Sequence, residues 1–295
     1  MAAARPNPWL LAARLRTLPA SISPVIVGTA LALREGQFNP LIFVATLSAA
    51  ILLQVGANYA NDVFDYIHGA DRTRHGPMRA TQSGLLTPHQ MLLGTAVVFG
   101  LAAAVGVYLT LVGGWPILLI GALSIIFALA YTAGPFPLAY RGLGDLFAFL
   151  FFGVVAVMGT YFLQSGRFTP VAFIVSLPNA LFATAIIVVN NLRDLDTDRE
   201  AGKRTLAVRI GDRATRVEYT LMLVGAYLVP LALCVVGAVG VWAWLLPWAS
   251  APIAWTLTRQ LWRAPRSPAL NPILARTARL NLIFSIVLAV GLVVG

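Results

Sequence analysis

Residues 80–140 read ATQSGLLTPHQMLLGTAVVFGLAAAVGVYLTLVGGWPILLIGALSIIFALAYTAGPFPLAY, from Ala80 to Tyr140, without one Asp, Glu, Lys or Arg. A transmembrane helix needs about 20 apolar residues, so this run is too long for one span and too apolar for a water-facing surface. Gly113-Gly114-Trp115-Pro116 interrupts it with turn residues and divides it into two spans. Charge-free runs recur on both sides. Thr17–Leu33 and Gly36–Asn61 precede it; Leu146–Gly166, Phe168–Leu192, a double-length Tyr219–Thr258 broken near Gly237–Trp242, and Leu280–Gly295 follow. The expectation is an all-α, polytopic membrane protein, a single domain over residues 1–295 built from nine transmembrane helices. Lipid imposes the helices, because every backbone N–H in hydrocarbon must be satisfied within its own segment.

Composition agrees. Of 295 residues, 59% are hydrophobic and 11% charged, against about 25% charged in soluble domains. No small-residue cleavage site ends the first apolar run, so no secretory signal peptide is expected. The one cysteine, Cys234, lies in an apolar run and reads as a small hydrophobe. The net charge of +10 invites a nucleic-acid reading, but the cations sit in short segments between spans, so no nucleic-acid partner is expected. With nine spans, nineteen of the twenty-one Lys and Arg fall on one side, leaving only Arg34 and Arg167 on the other. Positive residues favour the cytoplasmic side. The reading is an inner (cytoplasmic) membrane protein in the lipid bilayer, with N-terminus and polar loops cytoplasmic and the C-terminus on the far side. Ten of the eleven acids share the cytoplasmic side, Glu35 being the exception. Residues 7–16 read as a short interfacial helix with Trp9 at headgroup depth, and Gln54 and Gln164, within or near spans, read as helix-pairing or functional polar groups.

Two acidic clusters interrupt the apolar pattern, and their similar character hints at a weak internal repeat. The first runs from Asn58-Tyr59-Ala60-Asn61-Asp62 through Asp65 to Asp71, and continues to Gly76-Pro77-Met78-Arg79 and Gln82-Ser83-Gly84. On a helix Asn58, Asn61 and Asp65 share a face, and Asp62 stands one turn after Asn58. The helix must stop by Gly69, which places Asp71 in a loop able to fold back toward Asp65. The second runs from Asn190-Asn191-Leu192-Arg193-Asp194 through Asp196 and Asp198 to Lys203-Arg204-Thr205. Asn190, Asp194 and Asp198 repeat every four residues along one face, while Asp196 points away to solvent. Hard oxygen donors at these spacings suit Mg²⁺, which takes one or two carboxylates plus substrate phosphate oxygens. Facing each other, the clusters could bridge metal across one diphosphate, with neighbouring cations on its outer oxygens. The histidines His68, His75 and His89 lack metal-ligand spacing and read as loop residues; tyrosines and tryptophans at span ends read mostly as an aromatic belt.

These clusters resemble the UbiA superfamily of intramembrane aromatic prenyltransferases. Asn61 and Asp65 match its first motif, and Asp194 and Asp198 its second, Asp-x-x-x-Asp. Many members carry a third acid four residues after the first motif; here that position is Gly69, with Asp71 two later. That departure, with Arg16-Thr17-Leu18-Pro19, Gly76-Pro77-Met78-Arg79 and Lys203-Arg204-Thr205-Leu206-Ala207-Val208-Arg209, is similar to the naphthoate-prenylating branch of menaquinone synthesis. The resemblance runs from about residue 9 to the end. It implies a nine-helix bundle with a central cavity open to the cytoplasm and sideways to lipid. It implies a Mg²⁺ cofactor and two substrates, a polyprenyl diphosphate and 1,4-dihydroxy-2-naphthoate. Metal ligands would be Asn61, Asp62, Asp65, Asp194 and Asp198; catalytic candidates are Asp65, Asp71, Asp194, Asp198, Lys203 and Tyr131, with Asp71 a candidate base. Arg16, Asn58, Arg79, Arg141, Tyr140, Asn190 and Arg204 would contact substrate, Tyr131 and Tyr140 lending π faces to an allyl cation. The implied reaction ionises the allylic C–O bond, the ring attacks, and the ring carboxylate leaves as CO₂, giving demethylmenaquinone. Another acceptor, such as 4-hydroxybenzoate, stays open. A membrane transporter is the rival class, but its expected mid-span charges are missing.

Overall fold

The computed structural model describes residues 7–69, 76–134 and 137–295. The chain runs through α1 (Pro8–Ala13), α2 (Pro19–Arg34), α3 (Pro40–Ile67), α4 (Pro88–Gly113), α5 (Trp115–Ala130), α6 (Gly144–Ser165), α7 (Pro170–Arg193), α8 (Leu195–Glu200), α9 (Leu206–Val235), α10 (Val241–Leu245), α11 (Ala251–Arg263) and α12 (Asn271–Val294). Among the described residues there is no strand. Proline occupies the first position of α1, α2, α3, α4 and α7, where its missing N–H costs nothing. Asn7, Asn39, Thr87 and Thr169 cap four of these helices with side-chain oxygens, and Thr87 with Gln90 completes a capping box.

Among the described residues six helices are long and apolar enough to cross a membrane: α3, α4, α6, α7, α9 and Pro268–Val294, which contains α12. The segment through α1 meets α2 at 49°, and this bent pair would make a seventh. The remaining two of the nine expected runs are shorter. The charge-free run after Trp115 ends its helix at Ala130, because Gly134 and Pro137 follow. The Gly237–Trp242 break falls as expected, with Gly237 at φ 73°, but the next run is divided by a 3-10 turn, Leu246–Ser250. Conversely α9, which is kinked at Gly211 (φ 83°), and α12 begin well before their charge-free stretches. Arg216 explains one extension: it lies buried, donating to the carbonyls of Leu261 and Ala264 and pairing with Asp212. A charge whose donors are satisfied by neighbouring helices need not end a helix.

α7 is the hub. About two thirds of its apolar window is buried (67%), against 17% for α4, which places α7 inside and α4 at the periphery. It packs against α2, α6, α9 and α12. Small residues bring backbones together, as they must where apolar side chains gain nothing by leaving lipid. A Cβ on Gly28 of α2 would stand 2.6 Å from the Val157 carbonyl oxygen of α6, and one on Gly153 would overlap Ala180 of α7. Within α6, residues Ala148–Val155 widen to π-helix. Buried hydroxyl and amide pairs tie the helices further: Tyr219 to Thr277, Tyr227 to Ser250, and Asn179 to Asn281 and Ser285.

Two polar groups expected within spans serve loops and turns. Gln164 accepts from the Asn39 amide (2.7 Å) and donates to its carbonyl (3.1 Å), fixing the α2–α3 connection. Gln54 donates to the Thr17 hydroxyl (3.1 Å). The helix expected near residues 7–16 forms as α1, with Trp9 half-buried. Its ring packs on Gly94 and Tyr59, because Tyr59 donates to the Trp9 carbonyl and draws α1 onto α3.

Candidate active site

Asp62 and Asp65 both lie buried in the last turns of α3, yet face different partners. Asp62 accepts from the backbone amides of Ala80 (3.0 Å) and Thr81 (2.9 Å). It is one of the expected metal ligands; here both its oxygens anchor the segment that carries Arg79. That anchor places Arg79 so that its Nη2 lies 2.6 Å from Asp65 Oδ2. The Tyr140 hydroxyl donates to the other oxygen of Asp65 at 3.0 Å. Asn61 accepts from Thr132 (3.0 Å), which draws the end of α5 onto α3. Asn58 donates to the Ala13 carbonyl and the Thr17 hydroxyl, so it holds the Arg16-Thr17 turn in place. Arg16 is exposed beside it. The helix ends at Ile67, with Gly69 at φ 70°, matching the stop expected there. Asp71, with His75 and the cations Arg72 and Arg74, lies outside the described residues.

In the second cluster the four-residue stripe crosses a helix break. Asp194 caps the end of α7 at φ −96°, ψ 9°, and Asp198 sits on the separate α8. The i+4 ladder nevertheless continues through the break, from the Asp194 amide to Asn190 and from the Asp198 amide to Asp194. Asp194 receives Nε and Nη2 of Arg193 at 2.8 and 2.5 Å. The same guanidinium donates to Asn190 (2.9 Å) and to Asn271 at the start of α12 (2.8 Å). In the sequence Arg193 is one residue of a motif string; its role follows from a buried position that no spacing rule reveals. Asp196 is exposed, as expected, within 3.3 Å of Arg266.

Lys203 joins the clusters. Its Nζ lies 3.6 Å from Asp65 Oδ1 and 3.8 Å from Asp198 Oδ1, and 4.4 Å from the Tyr140 ring centre. Those two carboxylate oxygens are therefore no more than 7.4 Å apart, the two contacts laid end to end. The backbone supports this: the Lys203 amide donates to the Asp198 carbonyl, the Arg204 amide to the Tyr140 carbonyl, and Arg209 to the Arg141 carbonyl. The Arg141 and Arg204 side chains are exposed at this edge.

Asp145 was missing from the expected site. It is buried at the start of α6, with Asn191 Nδ2 3.4 Å from each carboxylate oxygen. Gly144 beside it leaves room for Tyr131, whose hydroxyl would lie 2.8 Å from a Cβ there. Burial, then the negative charges of Asp145, Asp65 and Asp198, push the Tyr131 phenol well above its ordinary value, so it stays protonated among them. Phe127 of α5 and Phe147 and Phe151 of α6 form an aromatic group next to this edge, with centroids 4.8 to 6.0 Å apart.

Among the described residues no three or more acids, histidines or cysteines are gathered closely enough to hold a metal ion alone. The donor set still fits Mg²⁺ with a diphosphate, since that ion takes few protein carboxylates and completes its shell from phosphate and water. Asp65 and Asp198 offer hard oxygens on opposite sides of a gap now bridged by one ammonium group.

The sequence matches the UbiA prenyltransferase family over residues 21–290. It is 38% identical to the 1,4-dihydroxy-2-naphthoate octaprenyltransferase of Escherichia coli (strain K12), over 98% of this chain and 96% of that protein. In fold it is similar to a UbiA homolog from Aeropyrum pernix K1 (TM-score 0.70, 19% identity, 95% of this chain and 98% of that one). It is also similar to a UbiA homolog from Archaeoglobus fulgidus bound to DMAPP and Mg²⁺ (TM-score 0.62, 14% identity, 96% and 100%). With its helical architecture and its family match spanning nearly all of the sequence, the chain belongs to the UbiA prenyltransferase family.

Proposed function

We propose that this enzyme transfers a polyprenyl group from an allylic polyprenyl diphosphate to 1,4-dihydroxy-2-naphthoate, with loss of CO₂ and diphosphate. The observation that carries the reading is the convergence of Asp65 and Asp198, from distant helices, on Lys203. The acceptor follows from the name of the Escherichia coli relative and its extent of identity. Nine membrane crossings fit if α2, α5 and the α10–α11 segment each complete a span, in a single domain. The acidic edge then faces the cytoplasm, as the charge distribution favours, and the bundle encloses a cavity opening there.

When bound, Mg²⁺ would be held by Asp65, Asp194, Asp198 and Asn61 and would neutralise the diphosphate as a leaving group. The chain's own residues do the rest. Lys203 and Arg79 exchange their carboxylate contacts for outer phosphate oxygens, and Arg16, Arg141 and Arg204 line the exposed rim for the anionic substrates. The polyprenyl tail follows Phe127, Phe147 and Phe151 between α5 and α6. The C–O bond breaks with its electron pair leaving on diphosphate, and the faces of Tyr131 and Tyr140 stabilise the allyl cation. The naphthoate ring supplies the new C–C bond and its carboxylate departs as CO₂, leaving the prenylated naphthoquinol, the reduced form of demethylmenaquinone.

Membranes containing the protein, with farnesyl diphosphate and Mg²⁺, should prenylate dihydroxynaphthoate, and EDTA should abolish turnover. Prenylation of 4-hydroxybenzoate alone would overturn the acceptor, and turnover undiminished by EDTA would overturn the metal.

A further inference from the structure

A groove of about 390 Å³ lies between α11 and α12, away from the acidic clusters. Ile253, Thr256 and Leu257 line one wall; Arg276, Arg279 and Ile283 line the other. Among the described residues no carboxylate lines it. Among the described residues Arg276 meets only Gln260, at a long 3.4 Å, and Arg279 has no hydrogen bond or ion pair. Both guanidiniums are exposed.

Depth gives these cations meaning. Asn271, held by Arg193, fixes the start of α12 level with the second acidic cluster. Arg276 and Arg279 follow five and eight residues later, roughly 7.5 and 12 Å along the axis at about 1.5 Å per residue. Headgroup layers are only some 5–8 Å thick on each side of the hydrocarbon. With the second acidic cluster at the outer edge of that layer, Arg276 falls near its inner edge and Arg279 about one turn deeper, within a long side chain's reach of a phospholipid's phosphodiester. Below them the groove continues along Ile253, Leu257 and Ile283, an apolar track for one acyl chain.

We propose that this groove binds one anionic phospholipid from the leaflet on the acidic-cluster side, its phosphodiester held between Arg276 and Arg279. A zwitterionic headgroup would place its own cation beside two guanidiniums with no carboxylate to receive it. A prenyl diphosphate fits less well, since no metal-binding oxygen is there to share its higher charge.

The test uses the full-length protein in neutral detergent and native mass spectrometry. Phosphatidylglycerol, phosphatidylcholine and glycerol phosphate are offered separately. One phosphatidylglycerol should be retained at least tenfold more tightly than phosphatidylcholine, and glycerol phosphate should not be retained. The Arg276→Gln/Arg279→Gln pair should lose that preference, as should Ile283→Trp, which fills the groove and keeps both cations. Arg213→Gln/Arg263→Gln, exposed elsewhere, should retain it. Equal retention of the two lipids by the wild type, displacement of phosphatidylglycerol by farnesyl diphosphate, or undiminished preference in the folded variants would overturn the proposal.

Discussion

Asp62 and Asp65 differ by less than a turn of one helix, and the structure gives them separate work. Asp65 meets Arg79, Tyr140 and Lys203, all groups able to move onto a phosphate. Asp62 binds two backbone amides and positions Arg79 indirectly. Asp65→Ala and Asp194→Ala should therefore each lower activity at least a hundredfold while the protein still inserts, checked by turnover against membrane content. Asp62→Ala should instead cost stability, about 1–3 kcal/mol for each of the two buried amides left unpaired, read as a lowered melting temperature in detergent. At the opposite face, burial raises the Glu35 carboxyl, but the Arg167 and Tyr161 hydrogen bonds lower it more, so its net value falls below the usual range. A depressed carboxyl stabilises the fold above its unfolded value and loses that contribution as pH falls through its folded one. The melting-temperature deficit of Glu35→Gln should be constant near neutrality and vanish only on acidification below the ordinary carboxylate range.

Among the elements, α6 and α7 are held by the close approach of Gly153 to Ala180. Gly153→Leu should force them apart and prevent stable folding, seen as loss of a monodisperse species in size-exclusion chromatography. The helices themselves were legible in the sequence, since proline, glycine and charge-free length each act locally. Gly114 at φ 70° ends α4 where the Gly113–Pro116 turn was read. The start of α9 was not legible, because Arg216 is solvated by carbonyls from another helix, a partner no local pattern names. The site divides in the same way. Asp65, Asp198 and Lys203 stood out by type and spacing. Asp145 and Arg193 did not, because what marks them is burial against Asn191 and Asn271. The Asp194 break likewise escaped a reading that extended one helix through the whole stripe.

For the whole molecule, the proposed topology puts the acidic edge and the Glu35 edge on opposite sides of the membrane. In a Cys234→Ala background, cysteine at Glu200 should react with a membrane-impermeant maleimide only from the cytoplasmic side. Cysteine at Gln37 should react only from the far side. The two halves of the proposed site come from α3 and from α7 with α8, and in the proposed function the diphosphate needs both. Binding should then fail equally when either half is damaged. Titrating the purified protein with a non-ionising thio-analogue of farnesyl diphosphate measures this before any chemistry. Tight binding that needs Mg²⁺, weakened at least tenfold by Asp65→Asn and equally by Asp198→Asn, is the expected result. Binding that survives EDTA, or that only one of the two substitutions affects, would contradict a diphosphate gripped from both sides.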